Sequence, residues 1–412
     1  MRIIPARRQT ARGAERGTAM NAATHSHEID QAPEHQGVDC SVLVPVLNEE
    51  RNIVASVGAM LRQRFPGRLE FLLVDGGSTD ATRELLAQLA ATDARIRLLE
   101  NPQGFTPASL NVALAHARGR WVARMDAHTE YPEEYLARGV ERLQQGGTRW
   151  VSGPQVATGH DRVSRAVALA LSTPLGYGGS RKWGATGDSA PAEYELDSGV
   201  FAGVWARETV LEYGGWDEHW LRNQDSEMAG RFLARGERLI CLPDMAANYT
   251  PRSSLRSLWR QYLQYGEYRA KTAARHPSTM RRSNLLPPAI VLTAAVAFVP
   301  GGRLSRLARG GLCVYAAALV AAGVTVAGEA EQPLDAGLVP VVLGIMHVAY
   351  GVGILRGALR HDPPLAAVAR TLGFSGLAGR LAPPPWQVYA PSLSLGRDHE
   401  LTDAVDAENL PS

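Results

Sequence analysis

Cysteine and lysine are both scarce in this chain of 412 residues. The three cysteines, Cys40, Cys241 and Cys313, are odd in number and far apart, so they form neither a metal-binding cluster nor a disulfide framework. This cysteine usage is typical of a protein whose soluble part lies in a reducing compartment. Lys182 and Lys271 are the only lysines, and the dominance of arginine indicates a GC-rich genome rather than an arginine-specific function.

A large charge of either sign is absent as well. The chain has 43 Lys and Arg against 41 Asp and Glu, a net charge of +2, whereas a dedicated nucleic-acid-binding protein carries a basic excess. A content of 45% apolar and 20% charged residues excludes a wholly disordered chain. The mean hydropathy of −0.14 is too polar for a fully embedded transporter. These values predict a globular protein with no nucleic-acid partner.

The first 38 residues lack the apolar periodicity of helices and strands. The pair Arg7-Arg8 is not followed by the apolar segment of a secretory or twin-arginine signal. We therefore expect residues 1–38 to form a disordered extension.

Short apolar runs alternate with helical periods from residue 40 to residue 125. The predicted order is strand 41–46, helix 49–64, strand 69–74, helix 78–91, strand 95–99, helix 107–117 and strand 121–125. This repeat predicts a parallel α/β sheet. The alternation then fades, and residues 154–200 are predicted to be rich in loops. Helical periodicity returns at residues 207–213, 225–234 and 253–275.

The predicted helix at residues 253–275 is amphipathic. Trp259 and Tyr262 lie on its apolar side, and many arginines lie elsewhere. Such a helix either rests at a membrane surface or packs on its own domain, and the sequence favours neither alternative.

Three long apolar runs distinguish the C-terminal part of the chain: residues 285–302, 310–328 and 338–355. Each approaches the roughly 20 residues that a helix needs to cross hydrocarbon. Arginines separate the first run from the second, whereas acidic residues separate the second from the third. The positive-inside rule therefore predicts that the second and third runs span the membrane as a hairpin with an acidic outer loop.

The first apolar run is ambiguous because it contains Pro287-Pro288 and has arginines at both ends. We expect it to be either spanning or re-entrant. The alternative for all three runs is a set of buried helices in a soluble domain. Residues 361–412 are rich in proline and then acidic, which predicts a partly unstructured cytoplasmic tail.

Three polar clusters follow directly on predicted strands: Asn48-Glu49-Glu50, Asp75-Gly76-Gly77 and Asp126-Ala127-His128. Parallel sheets bind ligands at the carboxyl ends of their strands. Asp75 either accepts hydrogen bonds from a nucleobase or ribose or caps a turn, and Gly76 lets a ligand approach the backbone. Asp126 and His128 are candidate ligands of Mg²⁺ or Mn²⁺, although such pairs also occur at strand ends by chance.

A second polar region runs from Gly214 to Asp225. Asp225 opens a predicted helix, either as a cap or as a general base that deprotonates an attacking hydroxyl. Trp216 and Trp220 lie close to it in sequence, and each either stacks on an acceptor sugar or fills the core. The sequence contains no Ser-His-Asp elbow, no P-loop and no zinc-ligand spacing.

Four motifs in this order carry a family resemblance. They are SVLVPVLNEE at 41–50, VDGGSTD at 74–80, RMDAH at 124–128, and GGWDE at 214–218 with RNQD at 222–225. Together they resemble family 2 glycosyltransferases, most of all the membrane-associated exopolysaccharide enzymes of the succinoglycan type. The resemblance covers residues 40–269 and extends to the apolar C-terminal runs.

The resemblance implies a GT-A fold, that is, an α/β Rossmann-like nucleotide-sugar-binding domain followed by C-terminal transmembrane helices. Asp126 matches the first residue of the Asp-x-Asp motif that holds Mn²⁺ or Mg²⁺, and His128 takes the place of the second. Asp225 matches the catalytic base. The predicted substrate-binding residues are Pro45, Glu49, Asp75, Gly76, Trp216 and Gln224, the last standing where many relatives have Glu.

The implied domains are a catalytic domain at 39–275, a membrane region at 276–360 and the tail at 361–412. The implied activity is inverting, metal-dependent hexosyl transfer from a nucleotide-diphospho-sugar to a lipid-linked saccharide. It would take place at the inner membrane with the catalytic domain in the cytoplasm, in exopolysaccharide or cell-envelope glycan synthesis. Gln261-Tyr-Leu-Gln-Tyr-Gly266 stands where processive synthases have Gln-x-x-Arg-Trp, which favours addition of single sugars.

Two alternatives stay open. A polyprenyl-phosphate sugar transferase would use the lipid phosphate itself as acceptor, and a phosphate needs little help from a base. A non-catalytic membrane assembly protein would use the α/β domain only for binding partners.

Overall fold

The computed structural model describes residues 37–183, 191–200 and 202–384. The predicted N-terminal extension and the end of the predicted tail lie outside these residues, apart from residues 37 and 38. The described strands are β1 Cys40–Val46, β2 Leu69–Asp75, β3 Ile96–Glu100, β4 Trp121–Arg124, β5 Thr129–Glu130, β6 Trp150–Ser152, β7 Gln155–Ala157, β8 Tyr194–Leu196, β9 Gly203–Ala206, β10 Leu239–Cys241 and β11 Ala247–Tyr249.

The described helices divide into those of the α/β part and those that follow it. The first group is α1 Ile53–Leu61, α2 Thr82–Thr92, α3 Thr106–His116, α4 Tyr135–Gln144, α5 Arg162–Ser172, α6 Pro174–Tyr177, α7 Arg207–Glu212 and α8 Gln224–Ala234. The second group is α9 Leu255–Arg275, α10 Leu286–Ala297, α11 Arg303–Thr325, α12 Pro333–Arg360, α13 Leu365–Thr371 and α14 Ser375–Leu381.

An eight-stranded sheet in the order β3-β2-β1-β4-β9-β6-β10-β8 forms the centre of the α/β part. Strands β1 to β4 pair in parallel, as predicted, because apolar runs without alternation form strands that are buried on both faces. Val42 and Val44 point into one core layer and Leu43 into the other. Beyond β4 the sheet becomes mixed, since β9 runs antiparallel to β4 and β6.

The sheet order places β1 beside β4, so the segments that follow these two strands lie next to each other. Strands β2 and β3 lie on one side of β1, whereas β4 lies on the other side. The order of the strands along the chain therefore reverses between β1 and β4. A small sheet, β5-β11-β7, adds to the same region.

The first helix begins later than the sequence predicts. Its predicted start at residue 49 is a loop in which Asn48 adopts a left-handed conformation with φ of 52°. The backbone N–H of Glu49 donates to Thr82 Oγ1 at 2.7 Å, and Asn48 Oδ1 accepts from the N–H of Thr79 at 2.8 Å. The loop is therefore fastened to the next strand–helix turn, and regular helix starts only at Ile53.

The expectation of a loop-rich segment at 154–200 is wrong where α5 occurs. Asp161 caps this helix by accepting hydrogen bonds from the N–H groups of Val163 and Ser164, at 2.9 and 3.0 Å. Its apolar face packs against α12 and belongs to a buried cluster that also contains residues of α9 and α11. The capping box formed with Ser164 is visible in the sequence.

The three predicted apolar runs form α10, α11 and α12. Among the described residues, two helices are long and apolar enough to cross a membrane, Arg303–Glu329 and Pro333–Arg360. Helix α10 has 12 residues, about 18 Å, which is shorter than the ~30 Å of a hydrocarbon core. The re-entrant alternative therefore fits α10 better than the spanning one.

Helix α9 packs along α12, a helix of the predicted membrane region 276–360 and not of its own predicted domain. A Cβ at Gly266 would lie 2.1 Å from the carbonyl oxygen of Tyr350, and one at Gly353 would lie 2.2 Å from that of Leu263. The start of the predicted tail is also structured, because Ala367 of α13 packs in a buried cluster with Ala273 of α9.

Candidate active site

A cleft of about 2660 Å³ opens at the carboxyl ends of β1 and β4. One side of it is formed by the segments after these strands, and another by the start of α8. The sequence-predicted residues that line it are Pro45, Glu49, Asp126, His128, Gln224 and Asp225. The fold thus brings together residues that lie up to 180 positions apart in the sequence, the distance from Pro45 to Asp225.

Glu49 and His128 form a pair across the ends of the two central strands. His128 Nδ1 lies 2.9 Å from Glu49 Oε1. Burial alone would raise the pKa of Glu49, but the hydrogen bond and charge of His128 outweigh it and lower this pKa. Burial likewise opposes protonation of His128, and Glu49 together with Asp126 raises the pKa of the imidazole. This contact therefore joins two of the predicted site segments.

Asp126 is oriented by Arg124, to which the sequence analysis gave no role. The guanidinium Nε and Nη2 of Arg124 donate to the two carboxylate oxygens of Asp126 at 2.8 and 3.0 Å. Burial would lower the pKa of Arg124, but the charges of Asp126 and Asp225 raise it. Nη1 of this buried arginine has no hydrogen-bond partner among the described residues. Arg124 ends β4 and Asp126 follows two residues later, and this spacing places side chains of extended backbone on the same face, which is the signal in the sequence.

Asp225 is the second residue of α8 and points into the cleft from the helix N-terminus. Asn223, just before the helix, has a left-handed conformation with φ of 60° and ψ of 21°. Gly199 lies against the backbone of Asp225, where a Cβ would come within 2.2 Å of the carbonyl oxygen. Asp225 thus lies at the positive end of the helix macrodipole.

Asp75 and Gly76 lie beside the cleft rather than in its lining. The Asp75 side chain is 2% exposed, and its oxygens accept hydrogen bonds from the N–H of Ser78 at 3.2 and 3.3 Å. Gly76 donates to Val46 O at 2.8 Å. The capped turn, one of the two predicted alternatives for Asp75, is what the structure contains, and Thr79 and Asp80 line the cleft instead.

Trp216 does not contact the cleft, contrary to its prediction as a substrate-binding residue. It is 1% exposed and packs edge-to-face against Trp205 in the core. Trp220 is also buried, and its Nε1 donates to Thr272 Oγ1 at 2.9 Å. Both tryptophans thus follow the core alternative, because both are buried and neither lines the cleft.

The far part of the cleft contains residues that sequence reasoning missed. Lys182 and Arg269 line it together with Asp225, and burial lowers the pKa of Lys182. Arg269 Nη2 lies 3.4 Å from Asn223 Oδ1. Beyond these cations, α10 and α12 contribute apolar residues such as Met346 together with polar ones such as His347.

The residues present fit a divalent ion that is shared with a ligand. The described residues contain no group of three or more His, Cys, Asp or Glu that would enclose an ion on their own. Asp126 and His128 offer one carboxylate and one imidazole, a donor set that suits Mn²⁺, and diphosphate oxygens or water would complete the coordination.

Comparison with known proteins identifies the class. Residues 41–190 match the model of glycosyl transferase family 2. The succinoglycan biosynthesis protein ExoA of Rhizobium meliloti is 31% identical over 321 residues, which covers 77% of this chain and 94% of that protein. The chain therefore belongs to glycosyl transferase family 2, and it is a glycosyltransferase, as the resemblance implied.

Two further relatives agree with this result. A Methanococcus voltae enzyme is 24% identical over 235 residues, covering 55% of this chain and 71% of that protein; it is named as a dolichyl N-acetyl-alpha-D-glucosaminyl phosphate 3-beta-D-2,3-diacetamido-2,3-dideoxy-beta-D-glucuronosyltransferase. The mannosyltransferase PcManGT of Pyrobaculum calidifontis, solved with GDP-Man and Mn²⁺, aligns with a TM-score of 0.51 at 20% identity. That alignment covers 81% of this chain and 91% of PcManGT. The predicted GT-A fold class is thereby confirmed.

Proposed function

We propose that this enzyme transfers a hexose from a nucleotide-diphospho-sugar to a lipid-linked saccharide, with inversion at the anomeric carbon and with Mn²⁺ or Mg²⁺. The reaction would serve exopolysaccharide or cell-envelope glycan synthesis at the cytoplasmic face of the inner membrane. The observation that carries the proposal is that Asp126 and Asp225 line one cleft, which continues to residues of the C-terminal helices α10 and α12. The similarity to a succinoglycan biosynthesis protein supports it.

Asp225 is the proposed catalytic base. Its carboxylate takes the proton of the acceptor hydroxyl while that oxygen bonds to the anomeric carbon of the donor sugar. The bond from this carbon to the nucleotide diphosphate breaks on the opposite face, so that a single displacement inverts the configuration.

Asp126 and His128 are the proposed holders of the divalent ion, which when bound neutralises charge on the departing diphosphate. Arg124 fixes the orientation of the Asp126 carboxylate through two hydrogen bonds. Glu49 fixes the orientation of the His128 imidazole through a single contact with Nδ1. The other ring nitrogen, Nε2, is then the one available to an ion. PcManGT was solved with Mn²⁺ and GDP-Man together, which supports this assignment.

The reaction is tested by offering a panel of labelled nucleotide sugars to membranes that contain the protein, followed by lipid extraction. We expect label in a lipid-linked oligosaccharide, and a roughly 10²- to 10⁴-fold loss of transfer in Asp225→Asn with donor binding retained. Asp244→Asn is the matched control, because Asp244 is an exposed carboxylate outside the cleft that pairs with Arg138.

Two results would contradict the proposal. Near-normal activity of Asp225→Asn with label in a monosaccharide lipid would favour a polyprenyl-phosphate sugar transferase. Failure to bind any nucleotide sugar in the presence of Mn²⁺ would favour a non-catalytic assembly protein.

The metal assignment has its own prediction. Asp126→Asn should weaken Mn²⁺-dependent binding of a nucleoside diphosphate by roughly tenfold or more, because the ion loses its charged ligand. Titration calorimetry with and without Mn²⁺ measures the effect, and Asp244→Asn should bind as the wild type does. Unchanged Mn²⁺ dependence in Asp126→Asn would remove this residue from the site.

A further inference from the structure

The turn between α11 and α12 contacts the catalytic domain. Arg165 Nε lies 2.7 Å from Asp335 Oδ2 at the start of α12 and 3.6 Å from Glu331 Oε2 in the turn. The Asp335 side chain is completely buried. A buried carboxylate requires a charged partner, so this ion pair is a structural contact and not a chance surface encounter.

Arg165 belongs to a helix whose position is determined by the catalytic sheet. Helix α5 follows β7, and β7 pairs with β11 in the small sheet beside the cleft. Asp161 caps the start of α5, one turn before Arg165. The acidic turn therefore lies on the same side of a membrane as the catalytic domain.

The rest of α12 also stays in contact with the catalytic domain. In its middle, His347 Nε2 lies 3.0 Å from the carbonyl oxygen of Leu175. Near its C-terminal end, Arg356 and Arg360 pair with Glu267 of α9 at 3.2 and 3.3 Å. Helix α12 is about 42 Å long, and a helix that crossed the ~30 Å hydrocarbon core would hold its two ends on opposite sides.

We infer that the α11–α12 hairpin does not cross the membrane, and that the chain instead docks on one leaflet of an anionic bilayer through the outer face of α11. The acidic turn then lies on the side of the catalytic domain, in contrast to the transmembrane hairpin predicted from the sequence. This inference concerns the mode of membrane attachment, and it does not depend on the proposed reaction.

The outer face of α11 has the chemistry of a lipid-facing surface. Every exposed residue from Gly310 to Val324 is Gly, Ala, Cys or Val, and Val314 is 72% exposed. Arg303 and Arg306 are exposed at the start of the same helix. An apolar face with arginines at its rim fits a membrane of anionic lipids, whose headgroups attract the arginines while the acyl chains cover the face.

The sidedness of the turn is the decisive test. In a Cys313→Ala background, which leaves only the buried Cys40 and Cys241, a single cysteine is introduced as Gly328→Cys in the turn. A matched protein carries Gln144→Cys at the exposed end of α4. Sealed membrane vesicles of each are treated with a membrane-impermeant maleimide before and after detergent is added.

We expect the two cysteines to be labelled from the same side, whichever side the catalytic domain occupies. Gly328 has open space around it, so its substitution leaves the fold intact, and transfer activity of the vesicles verifies this. Labelling of the two cysteines from opposite sides would overturn the inference.

The docking face is tested by flotation of purified full-length protein with vesicles that contain phosphatidylglycerol. Val314→Asp should reduce vesicle binding at least about tenfold, because a carboxylate must enter the lipid. Val54→Asp, at an exposed valine of α1, is the matched control and should bind normally. Equal vesicle binding of the two variants would overturn the inference. A stable dimer that does not float with the vesicles would also overturn it, because a second copy of the chain would then cover the outer face of α11.

Discussion

Two carboxylates two residues apart in α8 have different surroundings and therefore different roles. Asp225 lines the cleft, whereas Glu227 is completely buried. Glu227 Oε1 lies 3.1 Å from His276 Nε2, and Oε2 lies 2.9 Å from Arg231. Arg231 in turn donates to the carbonyl oxygens of Tyr213 and Gly215. Glu227 thus joins α8 to the end of α9 and to the turn before Trp216.

This difference predicts stability losses of different size for the same kind of substitution. Glu227→Gln should lower the free energy of unfolding by about 3–5 kcal/mol, because the Arg231 charge loses its buried partner. Asp225→Asn should change it by less than about 1 kcal/mol, since its carboxylate faces the open cleft. Denaturant unfolding of the two variants measures both values, and equal losses of stability would contradict the assignment.

At the scale of helices, the contact between α9 and α12 depends on glycine. Gly353 lies against the backbone of Leu263, and Gly266 lies against that of Tyr350. A methyl group at either position would overlap backbone atoms, which cannot move as a flexible side chain does.

Gly353→Ala should therefore destabilise the protein by about 1–3 kcal/mol, as overpacking generally does. Gly337→Ala in the same helix is the matched control, because no atom lies within 4 Å of its Cβ position. There the substitution should stabilise by up to about 1 kcal/mol through helix propensity. Thermal unfolding in detergent measures both, and a loss of stability in Gly337→Ala equal to that in Gly353→Ala would contradict the argument.

In the whole molecule, the C-terminal helices complete the core of the catalytic domain. Val167 of α5 and Leu258 of α9 share one buried cluster with Val342, Leu343 and Met346 of α12. The predicted domain boundary between residues 275 and 276 passes through this shared core. Helix α12 also contributes to the wall of the cleft.

A chain that ends at residue 280 should consequently fail to form a folded monomer, because the apolar faces of α5 and α9 lose their cover. Dye binding to exposed apolar surface and size-exclusion chromatography measure this outcome. A monomeric truncated protein that binds a nucleoside diphosphate as the full chain does would contradict it.

The sequence by itself determined the strand–helix alternation and the position of the site. Apolar runs and helical periods are local properties, and parallel pairing then brings the segments after β1 and β4 to one edge. Glu49, Asp126 and His128 were therefore predictable as residues of one cleft, whereas Asp225, at the start of α8, was assigned to it only through the family resemblance. The capping box of α5 is equally local, although residues 154–200 are also rich in the glycine and proline that are typical of loops.

The tertiary structure alone decided which of these side chains are exposed and which charges pair. The aromatic Trp216 and the polar Asp75 both stand in motifs that predict substrate binding. Neighbours that are distant in sequence nevertheless bury both side chains. The pair of Arg165 with Asp335 joins residues 170 positions apart, and it determines the side on which the acidic turn lies. No local pattern encodes such a contact, because burial and ion pairing depend on which distant elements pack together, whereas hydropathy and flanking charge describe each segment separately.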